Sequence, residues 1–165
     1  MTHTRTLLIV YHTMTGGSRQ MAEAAQRGAA EHEVKTRLVQ AREAGADDLL
    51  GADGYIFVTP ENLAAISGVM KDFFDRTFYA VLDRIIGRPY ATLVCAGSDG
   101  ENAVRQIARI CTGWKLRAVS DPVIVCTHAQ TPEKILAPKT IAKEDLERCA
   151  EVGAAMAAGL ALGIF

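Results

Sequence analysis

The sequence predicts a three-layer α/β domain: a doubly wound sheet of five parallel strands in the order 2-1-3-4-5, with helices on both faces. Three observations carry that expectation. Short, continuous apolar runs rich in β-branched residues occur at residues 7–11, 55–59, 91–95 and 122–126, and such runs fit strands covered on both faces. The stretches between them place apolar residues at helical three-and-four spacing. Strands and helices therefore alternate, which demands right-handed crossovers between parallel neighbours.

Each element has its own signal. The first strand, 7–11, leads into a loop and a helix opened by Ser18, whose stripe is Met21, Ala24, Ala25, Gly28 and Ala29. Residues 34–38 alternate and carry charge, which suits an exposed edge strand. Residues 40–54, with their glycines, form a loop or a short helix. After the third strand, Ile66, Val69, Met70, Phe73, Phe74, Thr77, Phe78 and Val81 mark a helix with Ser67 as a plausible N-cap,. After the fourth strand, Ala103, Ile107, Ile110, Cys111 and Trp114 mark another. Residues 128–138 contain Pro132 and Pro138 and are expected to resist regular structure,. The tail from about 143 to 162 is rich in Ala, Leu and Glu and reads as the last helix. Its Ala-Gly-rich end suits close packing of helices or of subunits, or a solvent-facing helix. One domain over residues 1–165 is the expectation from length.

Eighteen basic and nineteen acidic side chains leave a formal charge of -1. No global field therefore points to nucleic acid or an anionic membrane as partner. No apolar run approaches the roughly 20 residues that a membrane span needs, and the N-terminal apolar run is too short for a signal-peptide core. A soluble, cytoplasmic protein is expected. Cys95, Cys111, Cys126 and Cys149 are widely spaced with no C-x-x-C pair, so buried, reduced cysteines are expected rather than a disulfide or a metal site.

The loop leaving the first strand holds the chemistry. In a doubly wound sheet, ligands bind beyond the carboxyl ends of the strands where the winding direction switches, here beside strand one. His12, Thr13, Met14, Thr15, Gly16, Gly17 and Ser18 occupy that place and run straight into a helix. Three hydroxyls, two glycines that admit close backbone approach, and the unpaired N–H groups of a helix N-terminus are what a phosphate monoester needs. Read more plainly, the glycines turn the chain and Ser18 caps the helix. No G-x-x-x-x-G-K-[ST] is present, which argues against a nucleotide triphosphatase, and no G-x-G-x-x-G is present for a dinucleotide. Arg19 reads as a solvated first-turn residue, and His12 either meets the ligand or finds a backbone partner.

The hexapeptide 13–18 fits T-x-T-G-x-[ST], which resembles the FMN phosphate loop of the flavodoxin family. A second segment, Pro60, Glu61, Asn62, Leu63, Ala64, Ala65, Ile66, Ser67 and Gly68 with the helix that follows, resembles the loop flanking the isoalloxazine in flavodoxin-like NAD(P)H-dependent FMN and quinone reductases. By that resemblance the backbone from Pro60 through Ile66 to Ser67, and the side chains of Glu61, Asn62 and Leu63, meet the ring. Ala96, Gly97, Ser98, Asp99 and Gly100 stand where the family's other flavin loop lies, with N–H groups suited to the pyrimidine edge; an ordinary turn with Asp99 capping the next helix fits the same residues. His128, at the end of strand five, lines the same rim or is simply exposed. Lys71, Asp72, Asp75 and Arg76 read as a solvated helix face.

The resemblance implies a flavoprotein in which FMN accepts hydride from NAD(P)H and passes electrons to a quinone, a flavin or a similar small-molecule acceptor. In this family the flavin carries the chemistry, so no catalytic nucleophile or general base is expected. A flavodoxin-type electron carrier serving a redox partner protein is the alternative. The near-neutral charge and the lack of Tyr or Trp in both flavin loops depart from the carriers' pattern. Related reductases form homodimers or larger assemblies such as homotetramers, which is a further expectation.

Overall fold

A computed structural model describes residues 3–165. The domain and leader-peptide expectations begin at residue 1, and residues 1 and 2 lie outside the described residues. The elements follow in the order β1 (Thr6–Tyr11), α1 (Gly17–Ala29), β2 (Lys35–Gln40), α2 (Ala46–Leu50), β3 (Gly54–Asn62), β4 (Ala65–Ile66), α3 (Gly68–Val81), β5 (Pro89–Ala96), α4 (Glu101–Gly113), β6 (Arg117–Ala118), β7 (Val123–Cys126), α5 (Pro132–Leu136) and α6 (Lys143–Ala161).

The sheet runs β2-β1-β3-β5, and both β6 and β7 then pair with β5, all in parallel. The fifth position of the expected order is thus filled by two pieces in succession. β6 meets β5 at Pro89 and Tyr90, and β7 meets it from Leu93 to Ala96. Residues 119–122 separate the pieces, and among them Pro122, without an N–H, cannot donate to the ladder.

Because side chains alternate across a strand, the sheet divides its core in two. Leu7, Ile9, Ile56, Val58, Leu93 and Val125 face α1 and α6. Leu8, Val10, Tyr55, Phe57, Val94 and Ala96 face the other way, against Phe73, Phe74 and Trp114 of the α3–α4 layer. Phe57 anchors that side, with ring centroids 5.2 Å from Phe74 and 6.5 Å from Trp114. The fully buried Trp114 donates its indole N–H to the Phe78 carbonyl, so its polar edge is satisfied.

The small-residue stripe of α1 and the Ala-Gly-rich tail prove to be two halves of one crossing. A Cβ on Gly28 would come 1.9 Å from the Ala150 carbonyl oxygen, and one on Gly153 would come 1.9 Å from that of Ala25. Backbone-to-backbone approach of this kind admits only glycine.

Several local expectations change. β3 runs three residues past the expected strand and turns back into β4, so Ile66 is a strand residue rather than the start of α3. Residues 132–136, expected to be irregular, form the short helix α5: Pro132 sits in the first turn, where its missing N–H is harmless, and Thr131 caps it by accepting from Lys134 N–H,. Arg76 pairs with Asp72 as a solvated residue would, but also donates to the Ala41 and Ala44 carbonyls and so ties α3 to the loop after β2. Cys95, Cys111 and Cys149 are buried thiols, whereas Cys126 is partly exposed because β7 is an edge strand.

Candidate functional site

The cavity at the carboxyl edge of the sheet is walled by three loops and by the segment after β7. Its floor is the turn between β1 and α1. Gly16 takes a left-handed φ of 94° as the helix N-cap, a conformation natural to glycine, and Thr13 Oγ1 accepts from the Gly16 N–H at 2.9 Å. Gly17 lies tight against β5: a Cβ there would come 2.6 Å from Cys95 Sγ. The first N–H groups of α1 have no intrahelical acceptor and point to this end. Ser18 Oγ is buried, borders the cavity and has no hydrogen-bond partner.

One side of the cavity is the β3–β4 hairpin. Its two-residue turn, Leu63 and Ala64, has φ of 51° and 62°, the sense of a type I′ turn without the usual Asn-Gly. Helix α4 holds this strained turn in place: Asn102 donates to the Ala64 carbonyl, and Ile66 N–H donates to Gln106 Oε1. Glu61 reaches from the hairpin to accept from the Gly100 N–H. That donor, expected to be free for a ring edge, is therefore engaged. Asn62 touches Met14 across the cavity floor.

His12 turns away from the cavity. Its Nδ1 lies 2.8 Å from Ser67 Oγ, and that hydroxyl already accepts from Met70 N–H as the cap of α3. That hydroxyl keeps a second lone pair and its own proton for His12, so the ring's Nδ1 accepts from it or donates to it according to the tautomer,. Burial, reinforced by the nearby Arg42, pushes the His12 pKa below its ordinary 6.5, in keeping with that arrangement.

Of the residues expected at the site, Thr13, Met14, Thr15, Gly17, Ser18, Pro60, Glu61, Asn62, Ala96 and Gly97 line the cavity. His12, Gly16, Leu63, Ile66, Ser67, Ser98, Asp99 and Gly100 surround it without lining it. Gly16 and Gly100 shape the turns before α1 and α4, Ile66 is a buried residue of β4, and Ser67 is the buried cap of α3. Leu63 projects wholly into solvent at the tip. His128, with φ of 57°, hydrogen-bonds through its backbone to Gly97 and stays off the wall.

Sequence reasoning missed Cys95, Thr127, Ala129, Ile135, Leu136 and Lys139. Topology held a signal for the last five, since a loop leaving the final strand's carboxyl end lies at the ligand edge by construction,. Cys95 stays a thiol: burial raises its pKa to about 11 despite the opposing effect of Lys139. It offers no thiolate at neutral pH. Met14, Ile135 and Leu136 are exposed around the mouth and give it an apolar rim.

Residues 40–131 match the model of the NADPH-dependent FMN reductase family. The chain belongs to that family. The match takes in the hairpin and the loop after β5 but leaves the phosphate-type loop outside it. Over 94 residues the chain is 36% identical to a flavodoxin of Aquifex aeolicus, covering 56% of this chain and 49% of that one. Over 92 residues it is 35% identical to an NAD(P)H dehydrogenase (quinone) of Acidithiobacillus ferrooxidans, covering 43% and 46%. The chain spans about half the length of these relatives. In fold it is similar to a flavodoxin from the Archaea, with a TM-score of 0.77 at 19% identity over 94% of this chain and 98% of the other. A WrbA-like protein from Agrobacterium tumefaciens gives 0.73 at 21% identity over 94% and 96%. The fold is thus flavodoxin-like. The residues present fit the phosphate end of FMN, the cofactor in the family's name: the orphaned Ser18 hydroxyl, the Thr13 and Thr15 hydroxyls and a helix N-terminus converge on one cavity,.

Proposed function

We propose that this protein is an FMN-dependent oxidoreductase that takes electrons from NAD(P)H and delivers them to a quinone, a flavin or a similar small acceptor. The observation that carries the reading is the buried, unpartnered Ser18 hydroxyl at the head of α1, in a cavity whose mouth is open and apolar. A phosphate monoester supplies the partner that this hydroxyl lacks. Bound FMN would supply the hydride acceptor and the electron store.

The chain's own residues bind, orient and exclude water. Thr13, Thr15 and Ser18 would hold the phosphate, and Pro60 to Asn62 with Ala96 and Gly97 would flank the ring. Asn102, Gln106 and Glu61 keep the hairpin in register with the loop after β5, which fixes the width of the slot. The rim of Met14, Ile135 and Leu136 would admit flat, apolar substrates and disfavour water around them,. Among the described residues no tyrosine or tryptophan lines the cavity to cover the ring, which would leave a face for the donor and then the acceptor. We place this chemistry in the cytoplasm, where nicotinamide donors are at hand. Among the described residues no helix is long and apolar enough to cross a membrane.

The test is anaerobic mixing of the FMN-loaded protein with NADH or NADPH, following loss of the flavin's visible absorption. Rapid bleaching supports the reductase, and the acceptor can then be sought by reoxidation. Flavin that binds but does not bleach overturns the reductase reading in favour of a flavodoxin-type electron carrier.

A further inference from the structure

The cavity holds a cation that the phosphate-loop motif does not supply. Lys139, from the segment after α5, brings Nζ to 3.4 Å from Thr15 Oγ1. Its position is set by backbone contacts that do not involve its side chain. Lys139 N–H donates to the Thr15 carbonyl at 2.9 Å. The Gln20 amide donates to both the Gly16 and Lys139 carbonyls, and its oxygen accepts from Ile141 N–H. Helix α1 and the segment around residue 139 are therefore stitched together at the phosphate end of the cavity.

The ammonium itself has no anionic partner. Its other contacts are the Ile135 and Ala137 carbonyls, at 2.8 and 2.6 Å, and among the described residues it takes part in no ion pair. Arg19, the cation adjacent to the loop in sequence, instead turns to Glu23 and is half-exposed. A half-buried lysine held by carbonyl dipoles thus stands over the loop that contains the unpartnered Ser18 hydroxyl. Both groups border the same cavity.

We propose that Lys139 is the cation that pairs with the FMN phosphate and that it sets the preference for FMN over unphosphorylated riboflavin. This rests on the cofactor reading above. A phosphate monoester carries roughly 1.5 to 2 negative charges at neutral pH, whereas a helix N-terminus offers only about half a positive charge. Hydroxyls and backbone N–H groups orient the phosphate, but most of its charge is left to Lys139. One ammonium N–H leaves a carbonyl to reach the phosphate.

Fluorescence titration of the full chain with FMN and with riboflavin, at low and high salt, tests this on wild type, Lys139→Gln and Lys139→Arg. Lys139→Gln is expected to weaken FMN about tenfold to a hundredfold, the range of a lost charge-assisted hydrogen bond. Riboflavin affinity should stay unchanged, the salt dependence of FMN binding should flatten, and Lys139→Arg should recover most of the loss. The inference is overturned if Lys139→Gln binds FMN as wild type does, or if it loses both flavins equally. If wild type binds neither flavin, the cofactor reading itself fails and takes this inference with it.

Discussion

Gly17 is where the phosphate-type loop touches the sheet, and enlarging it by one methyl group tests how tightly the two are matched. A Cβ there would lie 2.6 Å from Cys95 Sγ and 3.4 Å from Ile141 Cδ1. Ordinary contact begins near 3.4 Å, so the shortfall at sulfur is 3.4 − 2.6 = 0.8 Å. Cys95 is buried and has one rotatable bond with which to evade the clash, so the loop or β5 must move. Overpacking of this size costs about 1–3 kcal/mol, partly offset by the better helix propensity of alanine, at most about 1 kcal/mol. Gly17→Ala should therefore lower Tm by about 2–8 °C for a chain of this length, and a loop displaced from its ligand should weaken FMN about tenfold. Cys95→Ala removes the clashing atom and leaves a void that the new methyl group can fill. The double variant Gly17→Ala/Cys95→Ala should consequently be more stable than the two single losses predict, with a favourable coupling of about 1–2 kcal/mol. Urea unfolding of the four proteins and FMN titration measure both quantities. A Gly17→Ala protein as stable as wild type, or a double variant whose losses simply add, would refute the packing argument.

Three other outcomes follow from the same geometry. Gly28→Ala drives a methyl group into the Ala150 carbonyl at 1.9 Å, whereas Gly68→Ala in α3 meets nothing within 4 Å; thermal unfolding should show the first losing at least about 2 kcal/mol and the second unchanged or slightly more stable. Replacing the left-handed pair with Leu63→Asn/Ala64→Gly should stabilise the protein by about 1–2 kcal/mol, because non-glycine residues resist positive φ,; an unchanged urea midpoint would mean the turn stores no strain. His12 has a folded pKa below 6.5, so protons favour the unfolded chain: its contribution is intact above about pH 6.5 and is lost as pH falls toward the lowered value. His12→Asn should lose less stability than wild type between about pH 7.5 and about pH 5, and parallel losses in denaturant titrations would contradict the assignment.

The phosphate-type loop was legible because its ingredients are local. Thr13, Thr15, Gly16, Gly17 and Ser18 are consecutive or nearly so, and their place after the first apolar strand follows from counting strands. The hairpin was legible only as a loop. That Leu63 and Ala64 adopt positive φ contradicts their intrinsic preference, and Asn102 and Gln106, about forty residues on, help to hold them there. His12 could not be placed from the sequence either, because its partner Ser67 lies 55 residues away.

What the sequence determined by itself was periodicity: which runs are strands, which face of each helix is apolar, and hence a doubly wound sheet whose carboxyl edge, where the cavity opens, includes the loop after strand one. Those properties arise within a few residues of chain, where side-chain alternation and helical spacing act. The tertiary structure decided what meets across long separations. It brought Lys139 to Thr15 over 124 residues, fitted Gly28 and Gly153 into each other's helix backbones, and split the fifth strand position between β6 and β7. Such contacts depend on how the loops close and how the layers pack, and no local spacing encodes them.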